Sequence, residues 1–318
     1  MNRIHLVALL FLLGLSAPVL AQSDAKAQAT TSATQAAEDP PEKNDPVVNP
    51  MRKARTIKKL KLAPLYSFNE KDVDAYLKFL ADDEKDPIRR VMHLARKNIG
   101  QPYQIFLLGE GPHEVFDPDP MYCLDKSDCV TFVEHTYAMA LSRDWPGFFR
   151  TLQRLRYKEG KVGMVTRNHE SVADWNVNNG WLFEEITPRL GDGKAASAMH
   201  LLWKPAKFFA QYNIGQDLPD VTISSTYIPR EQVASILPEL KDGDVAQIVR
   251  GNKREQYVGH FGLVARGKEG VVNMIHSAEP AVREQGILDY LEKNPKTIGF
   301  KFLRAKAEPQ TVVDAAMK

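Results

Sequence analysis

Cysteine and unbalanced charge are both scarce in this sequence. Two of the 318 residues are cysteine, which is too few for a scaffold held together by disulfides. The 42 basic and 40 acidic residues leave a formal net charge of +2, so the composition gives no indication of nucleic-acid binding. What remains is the composition of an ordinary globular protein, and function must be argued from local patterns.

Apolar runs long enough to cross a membrane are missing as well. The apolar stretch at 6–15 is about half as long as the roughly 20 residues that span a bilayer. It follows a basic residue and precedes Val19 and Ala21, small residues of the kind that signal peptidase prefers before its cut. We therefore predict a signal peptide over 1–21, cleaved near Ala21, and an exported, periplasmic protein that does not span the membrane.

Large apolar residues are also rare between residues 22 and 56. This segment consists mainly of Ala, Gln, Thr, Ser, Glu and Pro, and such a composition cannot bury enough surface to offset the entropy of ordering. We expect a disordered linker over 22–56, one folded domain over 57–306 and a C-terminal tail over 307–318. A folded part of roughly 250 residues is long for one domain but acceptable.

Helix signals dominate the first part of this domain and strand signals the last part. Asp86-Pro87 is typical of a helix start, with an acidic cap followed by proline at the first helical position. Short β-type segments occur at 245–249, 258–265, 271–276 and 299–303, with turn residues before or between them. Helices followed by neighbouring short strands predict an α+β domain with an antiparallel sheet.

The most informative stretch is Lys126–Glu134, which has Cys129 at its centre. Ser127 and Asp128 are residue types that cap helices, so Cys129 is expected at or beside the first helical position. The positive end of the helix dipole favours a thiolate there, the form that a cysteine hydrolase needs as its nucleophile. The alternative is a short structural disulfide between Cys129 and Cys123.

A base for this thiol is expected on the strands, because His135 lies on a different side of the helix from Cys129. His260 and His276 are on two strands joined by a short connection. A three-residue loop would place them directly opposite, with Cβ atoms about 4.5–5.5 Å apart. A register shifted by two, with Gly270 in a left-handed bulge, would place them diagonally at about 7–8 Å.

Both odd-length loops put the two imidazoles on one face of the sheet, whereas an even-length loop would separate them. We therefore predict a catalytic set of three residues. Cys129 is the nucleophile, and His260 is the base that takes its proton and later gives it to the leaving amine. His276 holds His260 in the required tautomer, the role that a carboxylate has in serine hydrolases.

Three segments resemble, in order and spacing, the papain-like NlpC-type bacterial cell-wall hydrolases: 128–134, 259–263 and His276-Ser277. The stretch 167–175 is similar to one carried by the N-acetylmuramoyl-L-alanine amidase-like branch and not by ordinary NlpC-type peptidases. The resemblance covers about residues 56–306. It implies a papain-like core in which the cysteine helix packs on an antiparallel sheet, with helical and loop insertions.

The same resemblance implies an activity and assigns residues. The activity is hydrolysis of the amide between the lactyl group of N-acetylmuramic acid and L-alanine, on small peptidoglycan fragments (muropeptides) and without a cofactor. Tyr103 is implied as a residue that helps to bind the oxyanion. The residues implied to line the substrate cleft are Asn168, His169, Asp174 and Trp175.

Other interpretations of the sequence stay open. From composition alone, the stretch 167–175 would be an ordinary solvated loop. The chain could be an endopeptidase that cuts within the stem peptide, or a peptidoglycan-binding module without turnover. No His and Glu residues stand out at metal-ligand spacing, so no metal site is predicted.

Overall fold

The computed structural model describes residues 53–252, 255–267 and 270–309. The predicted signal peptide, over 1–21, lies outside these residues. So do nearly all of the linker predicted over 22–56 and most of the tail predicted over 307–318. These assignments stay predictions.

The longer helices precede the first strand. Those in the described residues are α1 (Ile57–Leu62), α2 (Glu70–Asp83), α3 (Pro87–Lys97), α4 (Cys129–Ala140), α5 (Trp145–Arg156), α6 (Asn176–Asn178), α7 (Pro205–Phe209), α8 (Val233–Ile236) and α9 (Ile287–Lys293). A π-helical turn at Ser171–Trp175 leads directly into α6. Within the described part of the chain, no helix has the length and apolar character needed to cross a membrane.

The strands form one antiparallel sheet. They are β1 (Phe183–Glu185), β2 (Ser197–Trp203), β3 (Val221–Pro229), β4 (Val245–Gly251), β5 (Gln256–Arg266), β6 (Val272–His276), β7 (Arg283–Gly286) and β8 (Thr297–Ala305). Their order in the sheet is β2-β3-β8-β4-β5-β6-β7, and β1 pairs with β8 beside this path. The predicted α+β class with an antiparallel sheet is therefore confirmed.

Helix α4 begins at Cys129, as the capping pattern predicts. The side chain of Asp128 accepts the backbone N–H groups of Val130 and Thr131, and Thr131 Oγ1 accepts the N–H of Asp128. This reciprocal arrangement satisfies amides that the first helical turn leaves without partners. It fixes the point in the chain where the helix starts, and with it the position of Cys129.

The two faces of the sheet bury different groups of residues. Phe132 and Tyr137 of α4 share one core cluster with Phe261 and Leu263 of β5. The opposite face packs against α9, whose Tyr290 belongs to a second cluster with strand residues of β4, β6 and β8. Helix α4 therefore lies on one face of β5 and α9 lies against the other.

Candidate active site

The hairpin of β5 and β6 has the diagonal register. Leu263 pairs with Ile275, and Gly270 has a φ of +79°, as expected for a left-handed bulge. His260 and His276 are consequently diagonal neighbours on one face of the sheet. His260 Nε2 lies 2.8 Å from His276 Nδ1, and both rings are buried.

Gly262 makes room for this contact. It lies opposite His276, since the β5–β6 register places it one step beyond Leu263. A Cβ atom built on Gly262 would lie 2.6 Å from Met274 Sδ and 3.1 Å from His276 Cβ. The glycine thus lets β6 carry Met274 and His276 close to β5.

Cys129 reaches β5 at the residue after His260. Its thiol is free, as is that of Cys123, and the backbone N–H of Phe261 is the first of the groups that act to lower its pKa. The residues of β5 that pair with β6 include Leu263 but not Phe261. The backbone N–H of Phe261 therefore lies beyond the last residue pair of these two strands. The helix start and the histidine strand therefore meet where the two strands separate.

Two buried serines join the segment before Cys129 to the end of β6. Ser277 directly follows His276, and its hydroxyl donates to the carbonyl of Ser127 over 2.9 Å. The Oγ atoms of Ser127 and Ser277 are also 2.9 Å apart. Because Ser127 is two residues before Cys129, these contacts fix the nucleophile segment relative to the histidines.

Tyr103 lies beside the same segment. It forms a parallel bridge with Ser127, and its N–H donates to the carbonyl of Pro280. Burial, and then the nearby charges of Cys129 and Asp128, raise the pKa of Tyr103 to about 12. The phenol therefore stays protonated and can donate a hydrogen bond close to the sulfur.

Cys129 is a thiol in this unliganded site. Burial, followed by the charge of Asp128, raises its pKa to about 12, although the backbone amides of Phe261 and Val130 act in the opposite direction. The amides of the helix start favour the thiolate, as expected, but their effect does not decide the pKa. Loss of solvation at the buried sulfur outweighs the stabilisation from the amides.

Both histidines are neutral for related reasons. Burial and the charges of His276, Arg250 and Arg283 hold the pKa of His260 well below its ordinary value. Burial and Arg283 lower the pKa of His276 to about 4, against the effect of Gln285. A neutral His260 is able to accept a proton from the thiol.

Gln285 and Asp289 assign the tautomers of the two rings. Gln285 Nε2 donates to Asp289 Oδ2 over 2.5 Å, and a carboxylate can only accept. The carboxamide oxygen of Gln285 therefore remains for His276, its diagonal neighbour across β6 and β7. The buried His276 Nε2 has no hydrogen-bond partner among the described residues, and the Gln285 side chain acts to raise the pKa of His276, as an acceptor for a ring N–H does.

With that proton on Nε2, His276 Nδ1 is an acceptor. It can then accept the Nε2–H of His260 over the 2.8 Å contact. Nδ1 of His260 is left with a free lone pair, which is the form that a general base needs.

Trp175, predicted to line a substrate cleft, is a buried residue. Its indole donates to Glu134 Oε1 over 2.9 Å, and its ring packs edge-on against Phe261. Burial raises the pKa of Glu134 to about 7. Trp175 therefore packs against Phe261, the residue of β5 whose backbone amide acts on the pKa of Cys129.

The other three predicted cleft residues are bonded to the chain around them. Asn168 Nδ2 donates to a backbone carbonyl of α5, and His169 Nε2 lies 2.7 Å from the carbonyl of Met164. Asp174 accepts the backbone N–H groups of His169 and Glu170. These contacts give the segment a defined shape, and its contact with substrate stays a prediction.

Two residues of the neighbouring strands, Gln285 and Arg250, were not predicted from the sequence to lie near the histidines. Gln285 is on a short polar strand with no β-type pattern, and Arg250 is near the end of β4. The spacing from Ile248 to Arg250 places these two residues on one face of β4. That this face also carries His260 follows only when the pairing of β4 with β5 is known. No cluster of three or more His, Cys, Asp or Glu residues suited to a metal ion occurs among the residues with described positions.

Comparison with known proteins adds a family and a fold. A sequence profile of the AmiA-like family, described as N-acetylmuramoyl-L-alanine amidase-like, matches residues 93–299. No curated protein sequence matches the chain. A crystal structure of a Legionella pneumophila protein is similar with a TM-score of 0.66 at 22% identity, covering 74% of this chain and 94% of that one.

A second similar structure is that of an N-acetylmuramoyl-L-alanine amidase from Bacteroides uniformis. It has a TM-score of 0.55 at 24% identity and covers 69% of this chain and 99% of its own. At this identity the two structural similarities establish a shared fold. The matched range 93–299 contains Cys129, His260 and His276.

Proposed function

This chain belongs to the N-acetylmuramoyl-L-alanine amidase-like family, and from that premise we propose that it is a thiol-dependent amidase. It hydrolyses the amide between N-acetylmuramic acid and L-alanine in muropeptides. The observation that carries the proposal is the pair of neutral, hydrogen-bonded histidines beside the strand amide that contacts Cys129. In this proposal the domain has a papain-like core.

The reaction begins with the thiol of Cys129. His260 Nδ1 takes the thiol proton as the sulfur attacks the lactyl carbonyl, since a thiol with a pKa of about 12 is not ionised beforehand. The C–N bond then breaks, and the proton passes from His260 to the leaving amine of L-alanine. Water hydrolyses the thioester, His260 takes one proton from that water, and the thiol is restored.

Negative charge develops on the carbonyl oxygen during both steps. In this proposal the phenol of Tyr103, which stays protonated, donates a hydrogen bond to this oxygen. A donor that is fixed before the reaction costs no reorganisation when the charge appears. His276 contributes by holding His260 through the 2.8 Å contact.

Export to the periplasm and the predicted domain boundaries are part of the same proposal. Peptidoglycan fragments occur outside the cytoplasm, which agrees with a signal peptide over 1–21. The first described helix begins at Ile57 and the last strand ends at Ala305, which supports a domain over 57–306.

Product analysis tests the proposal. Disaccharide-peptides are digested with the wild type and with Cys129→Ala, and the products are identified by mass. We expect release of the whole peptide that begins with L-alanine, and a loss of about 10⁴-fold or more in the variant because the nucleophile is absent. Cys123→Ala is the matched control, since Cys123 is a free thiol that interacts with Asp125.

Each alternative has its own result. Cleavage after the second residue of the peptide would identify an endopeptidase. Binding of the fragments without any cleavage would identify a binding module. Equal activity of the wild type and Cys129→Ala would show that the nucleophile is wrongly assigned.

A further inference from the structure

Arg250 is a cation without a counter-ion in the described part of the chain. It lies near the end of β4 and is partly exposed. Its Nε atom is buried and has no hydrogen-bond partner, and no ion pair to its guanidinium occurs among the described residues. Unpaired buried donors are costly, so this group is suited to an occupant that accepts hydrogen bonds.

The strand pairing places Arg250 beside the proposed base. Ile248 lies opposite His260, and Arg250 is two residues further along β4, on the same face. After burial and His276, the charge of Arg250 is the next cause that lowers the pKa of His260. It also acts to lower the pKa of Tyr103, against the larger effect of burial.

Gly259 accommodates the arginine side chain. The β4–β5 register shifts at this point, because Ile248 pairs with His260 and Val249 pairs with Val258. A Cβ atom on Gly259 would lie 3.0 Å from Arg250 Cδ and 3.4 Å from its Nε. The extra glycine therefore lets the side chain lie against the backbone next to His260.

Arg283 acts on both histidines, and one nitrogen of its guanidinium is bonded to the chain around it. Its Nη1 donates to the carbonyls of Ala278 and Glu279, over 3.0 Å and 2.9 Å. Arg283 is therefore tied to the connection before β7, whereas the buried Nε of Arg250 has no partner.

We propose that Arg250 forms a subsite for a carboxylate of the leaving peptide. This inference rests on the proposed function, because His260 donates to the leaving amine and Arg250 lies beside His260. A guanidinium binds a carboxylate through two parallel hydrogen bonds. The bound carboxylate also compensates for the repulsion between Arg250 and the protonated His260 that forms during the reaction.

Paired substrates test the subsite. They are muramoyl peptides that carry either a free carboxylate or a carboxamide on the residue after L-alanine. We expect the wild type to prefer the acid by about 10- to 100-fold in kcat/KM, the range for charge-assisted hydrogen bonds. Arg250→Met should remove this preference by slowing the acid selectively, and Arg250→Lys should keep part of it.

Arg150→Met is the matched control, because Arg150 is an exposed arginine on α5. It should keep the preference of the wild type. If Arg250→Met slows the acid and the carboxamide equally, Arg250 acts on the reacting groups and the subsite is wrong.

A binding measurement separates this inference from the proposed reaction. Calorimetry with Cys129→Ala, which lacks the nucleophile, compares the acidic peptide with its carboxamide. We expect tighter binding of the acid, and loss of the difference in the double variant with Arg250→Met. Equal binding of both peptides to Cys129→Ala, or a difference that survives in the double variant, would overturn the subsite whether or not the chain hydrolyses the bond.

Discussion

The groups that we propose to react are neutral before substrate arrives. Cys129 has a pKa of about 12 and His276 one of about 4, and that of His260 is well below its ordinary value. Burial is the first cause in each case. The proposed reaction therefore starts from a thiol and a free imidazole, and the proton moves only as the sulfur attacks.

The acid side of the pH profile should report the lowered pKa of His260. Its neutral form is the base, so activity persists as the pH falls below 6.5, near the ordinary histidine pKa, and declines only at lower pH. We expect kcat/KM, measured at intervals over the acidic range, to stay level across pH 6.5. A decline centred at or above pH 6.5 would contradict the burial of this base.

Some properties of individual residues could be predicted from the sequence and others could not. The identities of Cys129 and the two histidines followed from a capping pattern and a hairpin. The pKa of Cys129 did not, because it depends on how much water the folded chain removes from the sulfur. Arg250 was missed since its proximity to His260 depends on a register shift at Gly259.

At the level of elements, the β5–β6 hairpin determines the histidine pair. Its strands were predicted from β-type residues, and its two candidate registers from loop length. The structure selects the diagonal one, in which Leu263 pairs with Ile275. Strand β7, by contrast, consists of Arg, Glu, Gln and Gly, and it forms because β6 offers it a partner rather than through its own propensity.

Gly262→Ala should damage this hairpin. The added methyl group meets Met274 and the Cβ of His276, so we expect a loss of about 1–3 kcal/mol in unfolding free energy and a larger relative loss of activity. Denaturant unfolding and kcat/KM measure the two effects.

Gly286→Ala is the control for that substitution. Gly286 is on β7, where a Cβ atom would have its nearest contact at 3.6 Å, an ordinary packing distance. It should change stability little. If the two variants behave alike, the close approach at Gly262 does not matter for the histidines.

Across the whole molecule, Lys301 connects strands that are distant in the sequence. This lysine of β8 has no exposed side-chain surface, and its ammonium group contacts the Glu185 carboxylate of β1. It also donates to Ser225 Oγ and the carbonyl of Thr226 in β3, each over 2.7 Å. No local sequence pattern indicated this contact, because the three strands meet only in the folded sheet.

Glu185→Ala should leave this buried cation uncompensated. We expect a loss of about 2–4 kcal/mol in unfolding free energy, somewhat below the range for fully buried pairs since Glu185 keeps part of its surface in water. The measurement is denaturant unfolding, and Lys301→Met in the same chain should restore part of the loss.

The neighbouring Glu184→Ala provides the comparison. Glu184 pairs with Arg189 at the surface, where such pairs contribute about 0–1 kcal/mol. Equal losses in the two glutamate variants would show that Lys301 does not depend on Glu185.

The serine contact has a consequence for the time course of folding. Ser127 and Ser277 are 150 positions apart. The segment that contains Cys129 is therefore synthesised long before the strand that completes its surroundings. Closing so long a loop is entropically costly, and contacts of this range slow folding. In the proposed mechanism, a chain that has not yet docked its last strands therefore holds the Cys129 thiol without its base, and we expect reactivity only when folding is complete.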